Sequence, residues 1–206
     1  MSRQQPGLAS PYNAGITREP FLFYEMRITA GILAEGASDA ETIDRIVQEN
    51  LFQYPTERSV KRMAAACIRR LHGMEDPDLI TAIATKPQDV SRQICLYAMM
   101  KEHRLISDFM LTVIGEKYRT QDMSFSKIDV NTFFLRLQEQ DSAVATWSEN
   151  TVRKLGQVIV RILVDNEYLD STKANHINSV LISSTLENAL RAGNDGYMLP
   201  AFNCFS

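Results

Sequence analysis

The sequence predicts a mainly α-helical protein of two lobes, and three observations lead to this fold class. Helical periodicity recurs along the chain, whereas no convincing period-2 strand precedes residue 120. A polar stretch at residues 119–126 separates the earlier helices from the later ones. The last part of the chain orders its elements as helix, short helix, long helix and β-like tail. We therefore expect a flexible arm over residues 1–16, an N-terminal helical domain over 17–120 and a C-terminal domain over 121–206.

Capping residues mark the first predicted helices. Thr17 is expected to cap a helix that runs to about residue 35, with Pro20 in its first turn and Gly36 after its end. The segment Ser38-Asp39-Ala40-Glu41 has the pattern of a capping box, in which two side chains bond reciprocally to the backbone at a helix start. It predicts a second helix that ends near residue 50.

The same signals divide the next stretch. Thr56 is expected to start a third helix, which Gly73 closes. Asp76 followed by Pro77 is typical of a helix start, because proline suits the first helical position. Pro87 is expected to open a nearly all-apolar helix, and another follows over about residues 105–118.

The long predicted helix at residues 148–166 has two unlike faces. Six side chains fall on one wide apolar arc, at about 100° per residue: Val152, Leu155, Val158, Ile159, Ile162 and Leu163. The opposite side carries cations and an amide, with no acid among them: Arg153, Lys154, Gln157 and Arg161. This face is a candidate for nucleic-acid binding, although a core helix with an ordinary solvated face explains the same pattern.

The neighbours of the long helix predict a winged helix-turn-helix lobe. Helices are expected from about residue 129 and over residues 142–147. Residues 168–170 and 177–182 resemble short strands around a polar turn, which predicts a minor β-hairpin. In a winged helix-turn-helix the long helix enters the DNA major groove.

A basic stripe on the third predicted helix is a second candidate binding surface. Arg58, Arg62 and Arg69 lie within about 40° of one another on a helical wheel, with Lys61 beside them. Like charges at this spacing repel, and a negatively charged partner relieves that repulsion. The competing interpretation is that acids elsewhere in the protein, such as those on the second helix, neutralise the stripe.

Composition limits the function classes. The 206 residues carry a formal net charge of −3, so nucleic-acid binding must come from local basic patches. The three cysteines show neither metal-ligand spacing nor a disulfide framework, which is typical of a reducing cytoplasm. No apolar run is long enough to predict a membrane-spanning helix.

Catalytic signals are weak. His72, His103 and His176 are isolated in sequence, without a metal partner at helical spacing. Cys67 and Cys95 lie on apolar faces, which is typical of packing residues. The chain also lacks a glycine-rich phosphate loop in the required context. The sequence therefore predicts a non-enzymatic protein with no catalytic residue, no metal and no cofactor.

Several short motifs, spread over nearly the full chain, resemble the BrxA family of bacteriophage-exclusion (BREX) defence systems. They are FLFYEMRITAGIL with Glu25, Glu49-Asn50-Leu51-Phe52, Ser59, Lys61-Arg62, Arg70-Leu71, Trp147-Ser148, Thr151-Val152-Arg153-Lys154-Leu155 and Tyr168-Leu169. The resemblance implies a small helical cytosolic protein that binds double-stranded DNA. It also implies partners encoded alongside: a methyltransferase, ATPases and a phosphatase-like protein. The family supplies no catalytic motif to transfer.

Three functions remain as hypotheses. The first is a DNA-binding component of phage defence, with Arg58, Lys61, Arg62 and Arg69 on phosphates and the polar face of the long helix at the groove. The second is an adaptor that assembles other BREX proteins without binding DNA. The third is a nuclease whose site is built from distant acids.

Overall fold

The structure is a computed structural model that describes residues 10–205, and residues 1–9 of the predicted arm lie outside this range. The described chain contains the helices α1 (Phe23–Ala34), α2 (Asp39–Gln48), α3 (Glu57–Gly73), α4 (Pro77–Thr85), α5 (Gln88–Glu102), α6 (Arg104–Phe109), α7 (Glu116–Thr120), α8 (Lys127–Gln140), α9 (Ser142–Ala145), α10 (Glu149–Asp165) and α11 (Ser184–Ala192). A π-helical segment, Met110–Gly115, joins α6 to α7, and short 3₁₀ segments occupy Gly15–Thr17 and Gly196–Phe202. The prediction of a mainly α-helical protein is confirmed.

Local capping chemistry explains why most helices begin where the sequence predicts. The amide N–H of Ser38 donates to the Glu41 carboxylate at 2.8 Å, while the Glu41 N–H donates back to the Ser38 hydroxyl. Thr56 accepts from the amide N–H of Ser59, and Asp76 accepts from two amides of α4. Each bond satisfies a backbone donor that lacks a partner within its helix.

The start of the first helix was predicted wrongly. Thr17 belongs to the 3₁₀ segment, and α1 begins at Phe23, after Leu22 in a left-handed conformation with φ of 56°. The cause lies elsewhere in the chain, because the buried guanidinium of Arg70 donates to the carbonyl oxygens of Glu19 and Pro20. In a helix those carbonyls would accept from amides four residues later.

The predicted β-hairpin is also wrong. The amide of Tyr168 donates to the carbonyl of Leu163, so it caps the end of α10. The segment around Ile177 bonds mainly to residues 123–125, through Ile177 N–H to Met123 and Phe125 N–H to Asn175, and it keeps one backbone bond to the first predicted strand, from Asn178 N–H to Tyr168. Among residues 10–205 the β-pairing amounts to one isolated antiparallel bridge, Ser124 with His176. Helix α10 therefore lacks the predicted two-stranded wing. The helix-turn-helix arrangement that would place α10 in the DNA major groove remains a prediction.

The buried apolar residues form one continuous cluster that includes side chains from both sides of residues 119–126. The first helices pack around α1 and α3, and α11 returns to pack on α4 and α5. The 3₁₀ segment Gly196–Phe202 lies against the π-helical segment. Part of the predicted arm is fixed to this core, because Ile16 is buried and the Tyr12 hydroxyl donates to Asp108 at 2.7 Å.

Helices α8, α9 and α10 follow one another as the sequence predicts, and each has a capped start. Ser126, Asp141 and Ser148 accept hydrogen bonds from amides in the first turns of these helices. Helices α8 and α10 approach closely at Gly156, where an added Cβ would lie 3.0 Å from Cγ1 of Val130. These three helices and the loop after α10 shape the surface described next.

Candidate nucleic-acid interface

The outer face of α10 presents cations that have no acidic partner. Arg153, Lys154 and Gln157 are exposed. The Arg153 guanidinium donates to the side-chain oxygen of Asn150 at 2.7 Å, which leaves its charge uncompensated. Within residues 10–205, neither Arg153 nor Lys154 has a carboxylate within 4.0 Å. Arg161 differs, because its Nε lies 3.0 Å from the Asp165 carboxylate one turn later.

A groove opens between α8, α10 and the loop at residues 172–175, with a volume of about 1180 Å³. Arg153 and Gln157 line it from α10, Lys127 from α8 and Lys173 from the loop. Sequence reasoning missed Lys127 and Lys173, which are far from α10 in the chain and lie on no basic stripe of their own. Only the folded arrangement brings these three cations to one surface.

The basic stripe on α3 is partly neutralised. Arg58 and Arg62 are exposed and have no carboxylate within 4.0 Å among the described residues. Lys61 bonds to Glu57 one turn earlier, and this hydrogen bond raises the pKa of the Lys61 ammonium group. Asp44 of α2 adds a weaker attraction. The free cations of the stripe therefore lie toward the start of α3.

Arg69 is held within the protein. Its guanidinium lies 2.7 Å from the carboxylate of Glu19 and 3.0 Å from that of Glu102. A polyanion must displace these two carboxylates before it binds Arg69. The acids come from the segment before α1 and from the end of α5, and sequence reasoning identified neither of them.

Two of the three histidines pair with carboxylates, and the cysteines Cys67 and Cys95 are buried. His72 lies 2.8 Å from Asp39, and His103 lies 3.1 Å from Glu102. Burial raises the pKa of the Cys67 thiol to about 12, so the reactive thiolate is scarce at neutral pH. No group of three or more metal-ligating side chains occurs among residues 10–205.

Among residues 10–205, no helix is both long enough and apolar enough to cross a bilayer.

Comparisons with known proteins agree on one family. Residues 10–194 match the family model described as BrxA. A "BREX protein BrxA" from Bacillus cereus (strain H3081.97) is 34% identical over 186 residues, which cover 90% of this chain and 92% of the relative. A protein of the same description from Paramagnetospirillum magneticum (strain ATCC 700264 / AMB-1) is 27% identical, over 93% of this chain and 96% of the relative.

A solved structure has the same fold. It is the crystal structure of an uncharacterized protein from Magnetospirillum magneticum, which aligns with a TM-score of 0.80 at 25% identity. The alignment covers 94% of this chain and 98% of that chain. The family match over most of the sequence and the relative at 34% identity lead to one conclusion. The chain belongs to the BrxA family and is a component of the BREX phage-defence system.

Proposed function

We propose that this protein is a non-enzymatic, double-stranded DNA-binding component of its BREX system, and that it contacts the phosphate backbone through basic helix faces. One observation carries the proposal. Arg153 and Lys154 have no acidic partner on the exposed face of α10, and Lys127 and Lys173 lie at the adjoining groove. A chain of net charge −3 thus concentrates free positive charge on one surface.

The residue types on α10 suit two kinds of DNA contact. Lysine and arginine neutralise phosphates, which supplies affinity without reading sequence. Arg153 and Gln157 are also of the types that pair with guanine and adenine edges in the major groove. These two residues are therefore the candidates for any base readout, whereas Lys154 is a candidate for a phosphate contact.

The proposal assigns a smaller role to α3 than its sequence suggests. Arg58 and Arg62 are free to meet phosphates, whereas Lys61 and Arg69 already have carboxylate partners. On α10, Arg161 is similarly occupied by Asp165. We therefore expect the main contribution from α10 and its groove, with a secondary contact through the first turns of α3.

We further propose that the protein acts in the cytoplasm alongside other BREX proteins, which the family resemblance gives as a methyltransferase, ATPases and a phosphatase-like protein. Support for a reducing compartment comes from Cys67, Cys95 and Cys204, which are free thiols. The alternative function, an adaptor without DNA affinity, predicts that the basic surfaces bind acidic protein partners alone.

Binding of a labelled random-sequence duplex, measured by fluorescence anisotropy at several salt concentrations, tests the proposal. Neutralisation of six phosphates, by the four cations of α10 and its groove and by Arg58 and Arg62, gives a slope of log affinity against log salt of about −5. The double variant Arg153→Glu with Lys154→Glu should weaken binding at least tenfold, at about 0.7 kcal/mol or more for each reversed charge. A slope near zero, or unchanged affinity of the double variant, would contradict DNA binding through α10.

The matched control is Arg119→Glu. Arg119 is also an exposed arginine on a helix, but it is paired with Glu116 and lies outside the lining of the groove. Arg119→Glu is matched in charge to the single variant Arg153→Glu, and it should leave duplex affinity nearly unchanged. An equal loss in these two single variants would mean that net charge, rather than the α10 surface, determines binding.

A further inference from the structure

The groove between α8 and α10 has an apolar floor that a contact with duplex phosphates does not require. Val130 is buried, and Trp147, Val152 and Val160 are partly buried where they line it. Gly156 lacks a side chain where α10 lies close to Val130 of α8. DNA presents charged phosphates on its outer surface, so the floor points to a second kind of ligand with its own apolar side chains.

The dimensions of the groove match a short helix. Its lining on α10 runs from Glu149 to Val160, which corresponds to about 17 Å, or three helical turns, at 1.5 Å per residue. Helix α8 also carries two exposed apolar side chains outside the groove lining. Ile128 and Leu135 lie two turns apart on one face of α8, with 73% and 61% of their surfaces exposed.

The charges at the rim of the groove indicate the sign of the charge on the ligand. The rim carries Lys127, Arg153 and Lys173 on three different elements, against one carboxylate at Glu149. The rest of the protein more than offsets this excess, because the whole chain has a net charge of −3. A ligand that fits the groove thus combines an apolar stripe with flanking negative charges.

We propose that this groove binds an acidic amphipathic helix of a partner protein. The apolar stripe of that helix packs on the valine floor, and its carboxylates meet the three cations of the rim, as in other helix-in-groove interactions. This inference goes beyond DNA binding and does not depend on it. Because Arg153 and Gln157 belong to both surfaces, the helix and the duplex compete for the protein.

A single strand of nucleic acid fits the floor less well. Such strands bind by stacking bases on the faces of aromatic rings. Of the three aromatic residues that line the groove, Phe125 and Phe134 are buried, with 5% and 2% of their surfaces exposed. The accessible floor is therefore mostly aliphatic, which favours leucine-like side chains over bases.

The protein contains its own reporter for this groove. Trp147 is the single tryptophan of the sequence and lies in the groove lining. Its fluorescence can be titrated with synthetic peptides of about 18 residues that share one helical pattern. The first probe has leucine along one stripe and glutamate beside it, the second replaces glutamate by lysine, and the third replaces leucine by serine. A short single-stranded oligonucleotide is the fourth probe.

We expect a saturable change in Trp147 fluorescence with the leucine–glutamate peptide, and binding at least tenfold weaker with the other three probes. Duplex DNA added afterwards should displace the peptide. Equal binding of the lysine peptide would overturn the charge argument, and equal binding of the serine peptide would overturn the apolar argument. Tight binding of the oligonucleotide without peptide binding would assign the groove to nucleic acid instead.

Two groove variants and one matched control test the location. Val160→Gln should weaken peptide binding about fivefold, which is typical for loss of one apolar contact. Val164→Gln changes a partly buried valine one turn later on α10, outside the groove lining, and should leave peptide affinity unchanged. Lys173→Glu alters an exposed loop residue without disturbing the core and should also weaken peptide binding. Unchanged binding in both groove variants would overturn the proposal.

Failure of this inference can be separated from failure of DNA binding. Lys154 lies on α10 but does not line the groove. Lys154→Glu should therefore weaken duplex binding and leave peptide binding unchanged, whereas Val160→Gln should weaken peptide binding and leave duplex binding unchanged. Thermal denaturation of each variant confirms that the fold is retained. If Lys154→Glu and Val160→Gln each weaken duplex binding and peptide binding alike, the two ligands share one surface and the separate peptide site is excluded.

Discussion

The guanidinium group of Arg70 lies 2.7 Å from the carboxylate of Glu102, and no part of the Arg70 side chain is exposed to solvent. The same guanidinium donates to the carbonyl oxygens of Glu19 and Pro20 at 2.6 and 2.7 Å. One buried charge thus joins α3, the end of α5 and the segment that leads into α1. Arg69, one residue earlier, shares Glu102 but leaves 52% of its side chain exposed.

These adjacent arginines should differ sharply in their effect on stability. Arg70→Gln removes the buried guanidinium from Glu102, which keeps only Arg69 and His103, and leaves two carbonyls without a donor. We therefore expect a loss of about 3 kcal/mol in the free energy of unfolding. Arg69→Gln removes a half-exposed pair and should cost about 1 kcal/mol or less. Urea denaturation of both variants measures the difference, and similar losses would contradict the structural role of Arg70.

The acid stability of the protein should depend on Glu102. Burial alone raises the pKa of this carboxyl group, but hydrogen bonds from His103 and Arg70 outweigh burial and lower the pKa to about 2. Because this lies below the ordinary value of 4.5, the stabilisation is complete above pH 4.5 and is lost as the pH falls toward 2.

Unfolding free energies measured between about pH 2.5 and 6 test this expectation. Glu102→Gln should give a shallower dependence on pH across that range than the unchanged protein. The control is Asp122→Asn, since hydrogen bonds from Ser124 and Lys117 also lower the pKa of Asp122 to about 2, but on the exposed surface. Solvent screening should make the effect of Asp122 smaller. A steeper acid dependence in Glu102→Gln would contradict the sign of the shift.

The two halves of the α3 stripe should contribute unequally to DNA binding. Arg58→Gln combined with Arg62→Gln removes two free cations and should reduce the salt slope of duplex binding by about 2. Arg69→Gln should leave the slope unchanged, because Glu19 and Glu102 already hold that guanidinium. A larger change from Arg69 than from the double variant would show that DNA displaces the internal carboxylates.

Gly156 should be intolerant of large side chains. Replacement of a helical glycine by alanine normally stabilises a helix by about 1 kcal/mol, and Gly31→Ala in α1, where nothing lies within 4 Å of the added carbon, should show this gain. In Gly156→Ala, the contact of 3.0 Å between the added Cβ and Cγ1 of Val130 should cancel that gain in stability. Gly156→Leu should destabilise by about 1–3 kcal/mol, because α8 and α10 must separate. Thermal melts compare the three variants, and a stabilising Gly156→Leu would refute the close approach.

Features that depend on near neighbours in the chain were predicted well. The capping box of Ser38 and Glu41 and the cap at Thr56 involve residues three apart, so the sequence contains both partners of each bond. Helix α10 was likewise predictable, because its buried and exposed faces follow from helical spacing alone.

Features that depend on distant partners were missed. The late start of α1 results from Arg70, about 50 residues later in the chain. The hairpin was mispredicted because the segment at Ile177 forms its β-bridge with residues 123–125 and keeps only one backbone bond, from Asn178 to Tyr168, with the other predicted strand. Distant partners also explain the pairing of Arg69 with Glu19. They likewise explain why Lys127 and Lys173 lie at the same groove as Arg153. A helical wheel describes one helix and does not contain the charges that other elements bring to it.

The 3₁₀ segment Gly196–Phe202 has a consequence for how the chain reaches its native state. Tyr97 and Lys101 both bond to Asp195, and Phe202 is buried in the core. The face of α5 that bonds to Asp195 therefore leaves the ribosome nearly a hundred residues before that partner, whereas α1, α3 and α4, which pack on other parts of α5, precede it in the chain. That face stays exposed for the interval, and the protein completes its core only after synthesis has passed residue 202.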